Sequence, residues 1–86
     1  MTKILITEFI NQDSLDNLKK NYDIKYDENL CENKSELENI IHNYEGLIIR
    51  NKTQVTSDVL KNAKKLKFIG NLIRIYRYLL SFIKTN

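Results

Sequence analysis

The side chains of this 86-residue chain that could act on a substrate are few: His42, Cys31, a cluster of acids at Asp27, Glu28 and Glu32, and Arg50 at the end of an apolar run. His42 falls in a segment where Leu37, Ile40, Ile41 and Tyr44 recur at helical spacing. It projects away from that stripe and reads as a solvated residue. No second histidine or cysteine stands near it to complete a metal site. Cys31 is the only cysteine, so it reads as a loop or half-buried thiol with no internal disulfide partner, in keeping with a reducing, cytoplasmic setting. The acids read as a solvated connection, because paired-carboxylate chemistry needs a cleft and a raised pKa that a polar loop does not supply.

Arg50 carries more information. It follows the short apolar run Leu47-Ile48-Ile49, and in parallel α/β sheets ligands collect at the C-terminal ends of the strands. A guanidinium there suits a carboxylate or a phosphate through its bidentate fork. A surface ion pair would use the same residue, and its chemistry alone leaves both readings standing.

The elements that would position Arg50 are legible in the hydrophobic pattern. Ile4 to Ile6 is a continuous apolar run and predicts a central parallel strand, with Glu8 to Gln12 as the turn out of it. Gln12 or Asp13 opens a helix with Leu15 and Leu18 on one face, Asp13 and Asp16 near its N-terminus and Lys19-Lys20 at its end, a charge order that favours the helix dipole. Tyr22, Ile24 and Tyr26 alternate with Asp23 and Lys25, as on an edge strand with one wet face. Asn33 and Ser35 are both acceptable caps for the next helix, which is predicted to carry Leu37, Ile40, Ile41 and Tyr44. Gly46 is read as a permissive position just past that helix, before the Leu47–Ile49 strand. Thr56 would cap a third helix burying Val59, Leu60 and Ala63, and Leu66, Phe68 and Ile69 predict a fourth strand ending at Gly70. Strands separated by helices imply right-handed crossovers and a flavodoxin-like parallel sheet of about four strands with helices on both faces.

Composition bounds the rest. The chain has room for one small domain, and its hydrophobic and charged fractions, 42% and 29%, are those of an ordinary globular protein. The net charge of +3 is unevenly placed: residues 1–70 hold 11 basic and 11 acidic residues, and the excess comes from Arg74, Arg77 and Lys84. A pI near 9.0 therefore does not describe a nucleic-acid surface on the main body. Gly46 and Gly70 are the only glycines, so no dinucleotide fingerprint or phosphate-cradling loop can be written. Projected as a helix, residues 71–84 gather Leu72, Ile73, Ile75, Tyr76, Tyr78, Leu79, Leu80, Phe82 and Ile83 on one very broad apolar face, with Arg74, Arg77, Ser81 and Lys84 on the narrow remainder. This amphipathic tail is too short to span a bilayer. A helix this apolar packs on the nearest uncovered apolar surface, its own or a partner's, more readily than it lies on a membrane, and a homo-oligomer through it is compatible with either reading.

The stretch Gly46-Leu47-Ile48-Ile49-Arg50-Asn51-Lys52-Thr53-Gln54-Val55-Thr56, then Asp58-Val59-Leu60 and Leu66-Lys67-Phe68-Ile69-Gly70, resembles the D-isomer-specific 2-hydroxyacid dehydrogenases, in particular the phosphoglycerate dehydrogenase branch. With the Lys3-Ile4-Leu5-Ile6 strand and the intervening helices, the resemblance covers residues 1–70. It implies a flavodoxin-like substrate domain that faces a separate NAD-binding domain across a cleft, with Arg50 and the loop Asn51 to Thr53 on that cleft. Arg50 would meet the anionic end of a small 2-hydroxy acid. Asn51 stands where the family commonly has serine.

After Gly70 the family continues with an arginine and a G-V-G-x-D-N-like run, whereas this chain continues Asn71-Leu72-Ile73-Arg74. The resemblance thus implies a partial substrate domain over 1–70 and a non-family tail over 71–86, as a frameshifted or decayed gene would produce. The family's cofactor loop and catalytic residues have no counterpart here. The expectation is a fragment of an NAD-dependent oxidoreductase that neither binds NAD nor turns over alone. A reading from another class is a small non-enzymatic interaction module whose tail engages a membrane or partner.

Overall fold

The structure is a computed structural model, and it describes residues 1–71. In chain order it contains β1 (Lys3–Ile6), α1 (Gln12–Lys19), β2 (Asp23–Tyr26), a 3-10 helix (Glu28–Glu32), α2 (Lys34–Ile40), a second 3-10 helix (Ile41–Asn43), β3 (Gly46–Ile49), α3 (Ser57–Asn62) and β4 (Phe68–Asn71). The four strands pair in parallel in the order β2-β1-β3-β4. These are the first four positions of the flavodoxin-like order 2-1-3-4-5. The strand-by-strand expectation is met: β1 is central, and β2, with its alternating wet and half-buried residues, lies at an edge.

Two hydrophobic clusters flank the sheet. Alternation along β1 sends Leu5 to one side and Ile4 and Ile6 to the other, and all three are fully buried. Leu5 joins Leu47 and Ile69 beneath Leu37, Ile41, Val59 and Ala63, so α2, α3 and the short turn between α2 and β3 cover that face. Ile4, Ile6 and Ile48 pack with Ile10 and with Leu15 of α1 on the opposite face. Truncating a buried leucine such as Leu47 to alanine costs about 2–5 kcal/mol, a large fraction of what a domain this small can hold.

Helix starts follow the capping chemistry. The Asn11 side chain accepts from Ser14 N–H at 2.8 Å, Asn33 from Glu36 N–H at 3.1 Å and Thr56 from Val59 N–H at 3.3 Å. Of the two caps open for α2, Asn33 is the one used. The salt bridges Lys34–Glu38 and Lys34–Asp58, at 3.2 and 3.7 Å, link α2 to itself and to α3. Both are exposed and contribute little.

Four expectations change. The α2 helix ends at Ile40, and Ile41–Asn43 tightens into a 3-10 turn, so Tyr44 leaves the helix and packs beside β3 as a half-buried residue. Leu66 is fully buried but precedes β4, which begins at Phe68. Gly46 is the first residue of β3 rather than a helix terminator, and what requires glycine there is space. A Cβ at Gly46 would run into the Phe68 ring, its cross-strand neighbour. Asn71, the expected start of the amphipathic helix, is the last residue of β4, and the rest of that helix, from residue 72, lies outside the described residues.

The Gly46–Phe68 contact predicts that Gly46→Ala lowers unfolding free energy by about 2–3 kcal/mol through overpacking. In a Phe68→Ala background the same change costs less than about 1 kcal/mol, because the obstructing ring is gone. Urea unfolding of the four proteins in this cycle checks it, and equal costs in both backgrounds would remove the steric explanation.

Candidate functional site

In the order β2-β1-β3-β4 the chain leaves β1 toward one edge and β3 toward the other. The crevice beyond the C-terminal ends of β1 and β3 is therefore the topological switch point, where open α/β sheets bind ligands. Thr7 and Glu8 arrive from β1, and Arg50 to Thr53 arrive from β3.

Glu8 is the organising residue, and it is only 3% exposed. Its Oε2 accepts from the backbone N–H of Arg50 and of Thr53, each at 2.8 Å. Its Oε1 accepts from Asn51 N–H at 3.0 Å and Lys52 N–H at 2.9 Å. Four consecutive backbone donors thus converge on one carboxylate, two on each oxygen. The Thr7 and Thr53 hydroxyls lie 2.8 Å apart, and the Thr53 hydroxyl also hydrogen-bonds Glu8. A hydroxyl has one proton, so Thr53 donates to Glu8 and accepts from Thr7.

Burial by itself would raise the Glu8 pKa, but the hydrogen bonds from the Thr53 hydroxyl and from the backbone of Arg50, Lys52 and Thr53 outweigh it. The result is a carboxyl lowered from its ordinary 4.5 to about 2. The group is therefore ionised at neutral pH. Sequence reading placed Glu8 in the turn out of β1. The available signal was its position, one polar residue beyond a fully buried strand, but the donors that hold it are more than forty residues away.

Arg50 and Asn51 sit on this loop with exposed side chains. Among the described residues the Arg50 guanidinium takes part in no salt bridge. Arg50 and Phe9 line two adjoining recesses at the sheet edge. One, of about 400 Å³, also includes Glu8, Glu28, Cys31, Glu32, Asn51 and Lys52. The other, of about 270 Å³, is formed with Ile10, Asn11 and Ser14 and has Arg50 as its only charged residue. Phe9 is 54% exposed, an unusual position for a phenylalanine, and stands between the two.

The remaining candidates are structural. Asp27, Glu28 and Glu32 belong to a 3-10 helix that Asp27 caps, and Cys31 N–H ties this helix to Thr7 O at 3.0 Å. Burial pushes the Cys31 thiol pKa up, and the charges of Glu8 and Glu32 push it further. Its Sγ–H donates to Glu28 O at 3.3 Å. His42 is exposed on the second 3-10 helix, away from the crevice. No group of three or more His, Cys, Asp or Glu among the described residues could hold a metal ion, and no described helix is long and apolar enough to cross a membrane.

A four-stranded parallel sheet in the order β2-β1-β3-β4 with helices on both faces defines the chain as an α/β lobe of the doubly wound class. The chain belongs to the D-isomer specific 2-hydroxyacid dehydrogenase family: residues 4–73 match the model of its catalytic domain. Among curated relatives, D-3-phosphoglycerate dehydrogenase of Methanocaldococcus jannaschii is 36% identical over 70 residues, and that of Archaeoglobus fulgidus 31% over 68. The matches cover 81% and 79% of this chain but 13% of each relative, so the chain spans a small part of their length. Among solved structures, the PH0520 protein of Pyrococcus horikoshii superposes with a TM-score of 0.74 at 29% identity, covering 83% of this chain and 21% of that one. The TT0316 protein of Thermus thermophilus gives 0.70 at 25% identity, covering 81% and 23%.

The Glu8 cradle predicts a specific acid response. Its folded-state pKa lies below the unfolded value, so its contribution is complete above about pH 4.5 and is lost as pH falls toward about 2. The shift corresponds to on the order of 3 kcal/mol. Glu8→Gln places an NH2 group against backbone donors, and unfolding free energy at pH 7 should fall by a similar amount. Denaturant titrations at pH 7 and pH 3 test this: the wild type should approach the variant at low pH, and a constant gap between them would refute the assignment.

Proposed function

We propose that this chain forms the substrate-side lobe of an NAD-dependent oxidoreductase acting on the CH–OH group of 2-hydroxy acids, of the phosphoglycerate dehydrogenase type, working in the cytoplasm. The observation that carries this is the position of Arg50 in a chain of this family: its backbone is fixed at the switch-point crevice by Glu8, and among the described residues its guanidinium forms no salt bridge. Arg50 receives the anionic end of the substrate through its two-pronged donor geometry, and Asn51 lies beside it to donate or accept a further hydrogen bond.

The described residues do not fit NAD. They offer no glycine-rich strand-to-helix turn, and the two glycines of the sequence serve strand positions in β3 and β4. The cofactor is therefore assigned to a separate domain across the crevice, and hydride transfer is not expected from this lobe by itself. We place the lobe at residues 1–70, where the charges balance, with 71–86 as a segment apart from it. The family match runs to residue 73, three residues past this proposed boundary.

Two measurements test this. The purified chain mixed with NAD and D-3-phosphoglycerate should show no nicotinamide reduction, and turnover would mean that catalytic groups have been overlooked. D-3-phosphoglycerate titrated against the isotope-labelled chain should shift the Arg50 side-chain resonance, and Arg50→Gln should weaken binding by at least about tenfold, as expected for a lost charge-assisted hydrogen bond. Equal affinity in wild type and Arg50→Gln would overturn the assignment.

A further inference from the structure

We propose that Glu8 is a positioning residue for anion recognition: it fixes the course of the Arg50–Thr53 loop and, by occupying all four of its backbone donors, leaves the Arg50 side chain to read the substrate's anion. The inference rests on the reading of Arg50 given above and deepens it, because it assigns the recognition to the guanidinium rather than to the backbone.

Four consecutive N–H groups turned toward one point form a concavity that attracts anions. In many α/β proteins such a concavity at a switch point holds the ligand's phosphate. Here it is filled from within the fold, since Glu8 is buried and takes two N–H bonds on each carboxylate oxygen at 2.8 to 3.0 Å. An incoming anion would meet a negative charge at the cradle and an unpaired cation at Arg50. The electrostatics therefore direct it outward, to the recess that Arg50 shares with Phe9, Asn11 and Ser14 and that contains no acidic residue.

The same arrangement fixes the base of the Arg50 side chain. Its own N–H is bonded to Glu8 Oε2, and Thr53, three residues on, is bonded to the same oxygen. The Thr7–Thr53 hydroxyl contact secures the far end of the loop to β1. A guanidinium on a loop held in this way loses less freedom on binding than one on an unconstrained loop. Glu8 touches no substrate in this scheme and acts only through the loop.

The test uses the full chain and D-3-phosphoglycerate as the probe, with binding followed by the Arg50 side-chain resonance and the amides of residues 50–53. Glu8→Ala should bind at least about tenfold more weakly than wild type, although the methyl resonances of Leu5 and Leu47 show the core intact. Added formate, a small carboxylate able to enter the emptied cradle, should restore the four amide shifts and part of the affinity, and neutral formamide should restore neither. Where Glu8→Ala does not fold, Glu8→Asp keeps the charge but draws it back by one methylene. It should fold and bind more weakly than wild type.

Affinity within about twofold of wild type in a folded Glu8 variant overturns the positioning role and leaves the Arg50 assignment in place. Formate and formamide acting alike would show that a carboxylate is not what the loop requires, and would overturn it too. Failure of the wild-type chain to bind D-3-phosphoglycerate removes the Arg50 reading first and this inference with it.

Discussion

One buried carboxylate with four backbone hydrogen bonds sets the geometry at the C-terminal ends of β1 and β3. Glu8 joins the ends of β1 and β3 beyond the last bond of their ladder, where a parallel sheet alone offers the chain no further partner. Burying a charge is costly, and the cost is offset only because both oxygens are fully paired. Such an arrangement is steeply conditional. A neutral or apolar group at Glu8 leaves the Arg50–Thr53 N–H groups facing inward without an acceptor, and the loop has no equivalent alternative nearby.

The loop is held at its other end by ordinary helix chemistry. Thr56 caps α3 through Val59 N–H, and Val59 is fully buried against the sheet. The segment from Arg50 to Thr56 therefore runs between two fixed points, one electrostatic and one packed. This is how a loop at a ligand crevice can be irregular in backbone yet definite in direction. The Cys31–Thr7 hydrogen bond adds the 3-10 helix to the same edge, so three separate parts of the chain meet around one carboxylate.

The core imposes its own constraint on that edge. β1 is buried on both faces, which leaves no tolerance for a register shift: moving it by one residue would exchange Leu5 with Ile4 or Ile6 between two differently shaped clusters. At β3 the Phe68 ring fills the space above Gly46 and fixes the approach of β4. The position of Arg50, four residues beyond Gly46, follows from this register together with the Glu8 bonds.

Much of this was open to reading from residue order alone. The apolar runs Ile4–Ile6 and Leu47–Ile49, the alternation of Tyr22, Ile24 and Tyr26, and the caps Asn33 and Thr56 declare strands and helices, because strand and helix periodicity and capping are local properties. Alternation of those elements implied the parallel sheet, and the arginine after a buried strand marked the crevice. What tertiary structure alone decided was the meaning of residues whose partners are distant. Glu8 looks like a turn residue until β3 is laid beside β1 and its four donors converge. Gly46 looks like a helix terminator until Phe68 is placed across from it. Both depend on strand pairing between segments some twenty to forty-five residues apart, and no local pattern of hydrophobicity or charge encodes which backbone donor will face which side chain.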